Sequence, residues 1–434
     1  MAPIERSVLV EMFLETLQAL DLDVHLRKQV SVQERTLEIR GQAYRLDDYS
    51  EILVVAFGKA APRMAITLKT ILGTAQTSGV VVSNAPAAQR VRSFEYRVSG
   101  HPYPNPASLA AAERILQLLF AANEQTLVVF LISGGGSALV EQPLFNDITL
   151  PDLVAFHHIL VSCGATISEM NVLRKHFSAT KGGRLALAAY PARQATIYVS
   201  DVPPDQPSAV ASGPTMPDES TVDQCLEIVD RYGLMPQLPD PYRRRLKAGA
   251  IPETPKPGDP RFDNSQYCSV LSNADALDAL ARLARERGWD ADIDVACDDS
   301  PVEVAADYLL TKLRALKAAA GRTVAVISGG ELSSPVRGPG RGGRNQAFAL
   351  ACALRIEGEP IAVLSAGTDG IDGNSPAAGA VADGSTIARA RALGQDPARI
   401  LRRSDSYRLF AARQDAIITG PTGNNVRDVR ILVM

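Results

Sequence analysis

Residues 126–138 read Thr-Leu-Val-Val-Phe-Leu-Ile-Ser-Gly-Gly-Gly-Ser-Ala. The near-unbroken apolar run over 126–132 describes a strand buried on both faces, as strands inside parallel sheets are. Ser133, Gly134, Gly135, Gly136 and Ser137 then fall at the carboxyl end of that strand and before a possible helix. Three glycines there allow backbone N–H groups to converge on an anion. Open α/β sheets bind their ligands at that end of the strands. The same glycines would also serve a tight turn with unusual backbone angles.

Outward from this stretch the pattern repeats. Short apolar and β-branched runs predict strands over 51–57, 79–83 and 196–199, and helical spacing predicts helices over 60–72, 107–122 and 152–163. A second set predicts strands over 269–271, 323–327, 361–364, 416–418 and 429–433, with helices over 274–287, 302–316 and 345–354. Strands alternating with helices predict an α/β fold with a mostly parallel sheet covered on both faces. Between the two sets, residues 236–263 are rich in charge and proline, with Pro252, Pro255, Pro257 and Pro260. Such a stretch predicts a domain edge. The expected division is a domain over 1–240, a linker or edge over 241–265 and a second domain over 266–434.

A chain of 434 residues fits two to three domains, at roughly 100–200 residues each. Apolar content of 46% and charged content of 21% are ordinary for a soluble enzyme. A net charge of −3 provides no basic footprint for nucleic acid or a membrane surface. The N-terminal stretch carries acids inside its apolar run and has no basic n-region before it. It reads as an amphipathic helix and not a signal peptide, so a cytoplasmic location is expected. The five cysteines are scattered and odd in number, which argues against a disulfide framework or a zinc site. His157 and His158 are adjacent, and neighbours on a helix do not share a face.

Further loops could carry chemistry. Ser328, Gly329, Gly330 and Glu331 form a second glycine loop after an apolar strand, which invites a cleft with one anion cradle from each half. Gly338, Gly340 and Gly343 satisfy G-x-G-x-x-G, yet they follow a polar stretch and include Pro339, so the dinucleotide fingerprint lacks its setting. Arg337, Arg341 and Arg344 in the same loop fit carboxylates or phosphates, or form a solvated basic loop. Lys59, just past a strand end, could meet a transferring phosphate as a point charge or simply lie on the surface. Asp201, Asp369 and Asp372 follow strands as well. Each is open between a turn or cap and a ligand contact.

Together these loops resemble those of the class II glycerate kinases, whose C-terminal part is called the MOFRL domain. The matching segments are AFGKAA at 56–61, SGHPYPN at 99–105, LISGGGSAL at 131–139 and LRKHFSATKGGRLA at 173–186. They continue with SDVPPDQPSAVASGPT at 200–215, RGGRNQAFAL at 341–350, SAGTDGIDGNSPAAGA at 365–380 and TGPTGNNVRDVRI at 419–431. The resemblance implies a larger Rossmann-like N-terminal domain with a parallel sheet and a smaller mixed α/β domain, facing each other across a cleft. It implies ATP- and Mg²⁺-dependent phosphorylation of glycerate to 2-phosphoglycerate. Lys59, Arg344 and Asp201 match the family's catalytic positions, with Asp201 also the candidate metal contact. The expected phosphate- and substrate-binding set is Ser133, Gly134, Gly135, Gly136, Ser137, Gly329, Gly330, Glu331, Asn345 and Asp369. Pro203, Pro204 and Asp205, Ala347 and Asn424 depart from the family pattern. The competing readings are an NAD(P)H-dependent hydroxypyruvate reductase and a sugar-acid binding protein.

Overall fold

A computed structural model describes residues 5–203 and 205–434; Pro204, within one of the departures from the family pattern, lies outside them. Strands β1 (Val30–Gln33), β2 (Thr36–Ile39) and β3 (Gln42–Arg45) form a small antiparallel meander. A six-stranded sheet follows, built from β4 (Glu51–Phe57), β5 (Thr77–Ser83), β6 (Phe94–Val98), β7 (Thr126–Ile132), β8 (Arg193–Val199) and β9 (Ser265–Leu271). Their order is β6-β5-β4-β7-β8-β9, and β4 to β8 pair in parallel. The chain builds outward from β4 to β6 and then returns to the other side of β4 with β7. The strand order therefore reverses between β4 and β7, the position where doubly wound sheets open a ligand crevice.

The apolar run that predicted β7 is buried along its whole length. One face of β7 and β4 packs against Ala111, Ile115 and Leu119 of the helix Pro106–Phe120. Asn105 starts that helix by accepting the Ser108 N–H at 3.1 Å, reciprocated by the Ser108 hydroxyl, a capping box that ends the preceding loop sharply.

The second sheet comprises β10 (Asp290–Asp294), β11 (Val324–Gly330), β12 (Ala362–Gly367), β13 (Gly379–Asp383), β14 (Ala416–Ile417) and β15 (Asp428–Val433), ordered β10-β11-β15-β12-β13-β14. Only β10 and β11 pair in parallel; β15 runs antiparallel to both of its neighbours. The expected fold class, a parallel α/β sheet plus a mixed one, is the one observed.

The domain division differs from the expected one. One compact unit is Leu22–Val270; the other joins the N-terminal stretch through Asp21 to Leu271–Met434. The helix Arg6–Ala19 buries Leu9, Met12 and Phe13, and Arg6 pairs with Asp383 at 3.2 Å and Asp415 at 3.4 Å. An apolar helix face has to be covered, and here the C-terminal part of the chain covers it. The stretch predicted as a linker over 241–265 is also packed. Tyr242, Leu246 and Ile251 are buried, and Tyr242 stacks on Phe156 at 4.2 Å. Residues 269–271, predicted within the second set, complete β9 of the first sheet. Among the described residues no helix is long and apolar enough to cross a membrane.

Candidate functional site

In the unit Leu22–Val270, the register sets Phe57 beside Ile132, and Ile132 beside Tyr198. The segments after β4, β7 and β8 thus leave the sheet at one edge, carrying Lys59, the glycine loop and Asp201. Lys59 and the loop are locked together. The Ser133 N–H donates to the Phe57 carbonyl at 3.2 Å, and the Lys59 N–H to the Gly134 carbonyl at 3.0 Å. The Ala60 N–H donates to Ser133 Oγ at 3.0 Å. This approach demands glycine at position 58: a Cβ there would lie 2.2 Å from Ser133 Oγ, and φ is +126°.

Gly134 and Gly135 are half-buried, and their N–H groups find no acceptor among the described residues. Lys59 is exposed, and its ammonium makes no hydrogen bond or ion pair among them. His101 borders the loop, 3.1 Å from where a Gly135 Cβ would stand. Burial and the Lys59 charge hold its imidazole below the usual histidine range. Two undonated amides and a cation at a switch point are the elements of an oxyanion cradle. Lys59, Ser133, Gly134, Gly135, Gly136 and Ser137 are therefore brought together as expected. Asp201, half-buried, follows β8 at the same edge.

Behind the loop lies a polar network that the sequence reading did not single out. Ser137 Oγ and Ser212 Oγ are 2.9 Å apart, and Ser212 donates to Asn171 Oδ1 at 2.9 Å. Lys181 Nζ donates to the Ser137 carbonyl at 2.8 Å and pairs with Glu141. Ser178 donates to Glu141 Oε1 at 2.5 Å, and His157 Nε2 stands 3.7 Å from Glu141. Burial alone would raise the Glu141 carboxyl, but Lys181 and His157 outweigh it and hold it below the usual carboxylate range. His158 points elsewhere and stacks on Tyr103 at 4.1 Å, as neighbours on a helix do. Lys181 in a segment that is otherwise buried was the available signal, since a buried lysine needs a partner.

In the other unit, Gly330 and Gly367 both register with Asp428. Arg344, at the start of the helix Arg344–Ala353, reaches this edge. Its Nε donates to Asp428 Oδ2 at 2.5 Å and its Nη2 to Oδ1 at 3.2 Å. Glu331 lies 2.8 Å from the same Nη2. Burial opposes the guanidinium charge, but Asp428 and Glu331 more than offset it, and the group stays protonated. The two-pronged contact expected for a ligand is thus made with Asp428.

Gly329 and Gly330 do not form a loop but the last rungs of β11. The Gly330 N–H donates to Asn273 Oδ1 at 3.1 Å and the Glu331 N–H to Asp298 Oδ1 at 3.0 Å. Arg430 takes the Gly329 carbonyl at 2.5 Å and the Gly330 carbonyl at 2.8 Å. The helix start at Asn345 is also filled from within. Asp372 accepts the N–H groups of Asn345 at 3.0 Å and Gln346 at 2.9 Å. Asn345 Oδ1 in turn accepts from Ser365 at 2.6 Å. Burial, with the Asp428 charge adding to it, pushes the Asp372 carboxyl up to about 6. Asp369 accepts the Ile371 N–H at 3.0 Å in a local turn. The G-x-G-x-x-G stretch packs on residues 403–407, where the Arg341 N–H donates to Asp405 at 2.9 Å; no strand leads into it. In this unit Glu331 and Arg344 are brought together, whereas the backbone donors of Gly330, Glu331 and Asn345 are already engaged.

Residues 8–247 match the family model described as a domain of unknown function, DUF4147, and residues 324–428 match the MOFRL family. The D-glycerate 2-kinase of Thermotoga maritima is 36% identical over 385 residues, covering 88% of this chain and 90% of that protein. A relative from Agrobacterium vitis, 41% identical over 395 residues and covering 88% of this chain and 99% of its own, carries a provisional hydroxypyruvate reductase name. The crystal structure of a glycerate kinase from Thermotoga maritima shares the fold with a TM-score of 0.83 at 32% identity, covering 99% of both chains.

Proposed function

We propose, because this chain belongs to the glycerate kinase family that joins a DUF4147 domain to a MOFRL domain, that it is a kinase transferring a phosphoryl group from ATP to glycerate to give 2-phosphoglycerate. The observation that carries this reading is the cradle of Gly134 N–H, Gly135 N–H and Lys59 at the switch point between β4 and β7. Phosphoryl transfer asks little covalent chemistry of the protein and much positioning and charge stabilisation. In this reading the two amides and Lys59 hold phosphate oxygens, and they stabilise charge most as it spreads in the transition state. Asp201 polarises the attacking hydroxyl or contacts the metal. Arg344, which matches the other catalytic position of the family, is held in one orientation by Asp428 and Glu331.

The reading includes Mg²⁺ as the nucleotide's counter-ion. Among the described residues no three His, Cys, Asp or Glu side chains gather as a protein cage for a metal. Mg²⁺ in nucleotide sites takes one or two carboxylates plus phosphate oxygens and water, so a single acid suffices, and Asp201 fits that need. When bound, the ion would neutralise phosphate charge. A cytoplasmic setting, where ATP is at hand, belongs to the same reading.

The test is direct. Purified protein with D-glycerate, ATP and Mg²⁺ should release ADP in step with 2-phosphoglycerate. It should not oxidise NADH or NADPH with hydroxypyruvate. Nicotinamide turnover without ADP release would replace this reading with the reductase one.

A further inference from the structure

We infer that Arg174 binds the carboxylate of the acid substrate, with the side-chain amide of Asn171 donating to one of that substrate's hydroxyl oxygens. The inference rests on the glycerate reading and adds the residues that select a hydroxy acid.

Arg174 lies on the helix Ile167–Phe177, half-buried. Other shielded guanidinium groups in the molecule are all engaged. Arg184 donates to the Lys175 carbonyl at 2.7 Å. Arg427 grips Asp298 at 2.6 and 2.7 Å, and Arg430 holds two carbonyls. Arg174 makes no hydrogen bond or ion pair among the described residues, and its Nε is sealed from solvent without an acceptor. Burial lowers its proton affinity, and only the through-space influence of Glu141 and Tyr103 opposes this. Keeping a guanidinium half-buried, with one donor sealed from water and unpaired, is costly. A site that tolerates it is one where a ligand supplies the missing anion.

Asn171 precedes Arg174 by three positions, so the two share a helix face. Asn171 Oδ1 is taken by Ser212, which joins it to Ser137 of the glycine loop; its Nδ2 donates to nothing among the described residues. The unused donors on this face are therefore one guanidinium and one amide, linked by two hydroxyls to the loop beside Lys59. That set matches a carboxylate flanked by hydroxyl groups.

Charge selects the carboxylate over a polyphosphate. Glu141 is already neutralised by Lys181, and burial holds His157 below its usual range. The cluster is left with one net positive charge, on Arg174. A single carboxylate balances it, whereas nucleotide phosphates would bring several negative charges into a shielded place. The exposed Lys59 and the Gly134 and Gly135 amides suit those better.

The experiment compares the full-length protein with Arg174→Met and Arg174→Lys. Two readouts are followed: the thermal shift caused by D-glycerate without nucleotide, and KM for glycerate and for ATP separately. Arg174→Met should raise KM for glycerate about 10- to 100-fold, the scale of one charged hydrogen-bonding contact, with KM for ATP within about two-fold. The glycerate-induced shift should vanish, while Tm without ligand should not fall, because the guanidinium supports no protein partner. Arg174→Lys should fall between, retaining charge without the fork. An unchanged KM for glycerate, a raised KM for ATP instead, or a variant that no longer folds would each overturn the assignment. Wild-type protein that shifts with glycerate but does not phosphorylate it would count against the kinase reading and leave the binding residue standing, provided Arg174→Met abolishes the shift.

Discussion

Two stretches of this chain look alike and behave differently. Ser133-Gly134-Gly135 and Ser328-Gly329-Gly330 each close an apolar strand run. In the first, Gly134 and Gly135 lie past the end of β7, and their N–H groups have no acceptor among the described residues. In the second, the strand runs on through both glycines, and the Gly330 and Glu331 N–H groups go to Asn273 and Asp298. The reason for glycine differs accordingly. Gly135 lets the exposed side chains of His101 and Lys59 come close, 3.1 and 3.4 Å from where a Cβ would stand, whereas Gly330 makes room for the Asp298 carboxylate, 2.5 Å from where a Cβ would stand. A glycine motif thus says that something approaches the backbone closely. It does not say whether that something is substrate or another part of the protein.

The largest test of this contrast is on the open side. Lys59→Met should lower kcat on the order of 10²-fold or more, the loss expected for one preorganised electrostatic group. Because Lys59 is exposed and has no partner among the described residues, stability should change by no more than about 0.5 kcal/mol. Steady-state kinetics beside a denaturant melt checks both halves. A near-normal kcat would remove Lys59 from the phosphate cradle and leave that loop a simple turn.

The next test is on the closed side and uses pH. Asp372 fills the helix start at Asn345 with its own carboxylate, and its folded value of about 6 lies above its ordinary 3.8. The folded state then binds the proton more tightly than the unfolded one. This group's contribution to stability should therefore fall as pH rises from 3.8 toward about 6, by an amount on the order of 3 kcal/mol at most. Asp372→Asn has no such titration. The stability advantage of wild type over Asp372→Asn should shrink between about pH 4 and pH 7 in urea melts. A constant or growing advantage would show that the carboxylate is comfortably ionised there and that the helix start is a better anion site than its burial allows.

How far the sequence carries this contrast depends on the range of the interaction. β4 and β7 were predicted at their observed ends because six and seven consecutive buried positions leave a mark that needs no partner to read. β6, with Glu95 and Arg97, and β10, reading Asp-Ala-Asp-Ile-Asp, escaped prediction: both are edge strands whose half-buried positions carry charge and so leave no apolar run. The loop after β7 keeps free the Gly134 and Gly135 N–H groups that its local sequence offers, because no acceptor among the described residues fills them. The stretch at Gly329 misled because its acceptors, Asn273 and Asp298, come from far along the chain. Likewise Arg344 meets Asp428 across 84 positions, and Lys181 meets Glu141 across 40. Pairings of that kind are decided by topology, and a single sequence does not display them. The helix Arg6–Ala19 was readable as amphipathic, yet which part of the chain would cover its face was not.

The finest test swaps the same methyl group into both glycine stretches. Gly135 and Gly330 have nearly equal backbone angles, φ +84° and +81°, so Ala at either site carries a similar left-handed strain of about 1–2 kcal/mol. What differs is the neighbour. At 135 the new Cβ would meet the His101 ring at 3.1 Å and Lys59 Cγ at 3.4 Å; both are side chains at an exposed edge and can shift. At 330 it would meet Asp298, which is clamped by Arg427 and the Glu331 N–H and cannot move without leaving Arg427 buried and unpaired. Gly330→Ala should therefore lose more stability than Gly135→Ala, by roughly 1–3 kcal/mol, the cost of disturbing a buried charged contact. Activity should order the other way. Gly135→Ala moves Lys59 and narrows the approach to two open amides, so kcat/KM should drop about ten-fold, the cost of a modest misplacement. Gly330→Ala, measured below its lowered Tm, should keep kcat/KM for the remaining folded protein within a few-fold of wild type. If both substitutions cost the same stability and the same activity, the two stretches are equivalent after all, and the cradle at Gly134 and Gly135 loses its special standing.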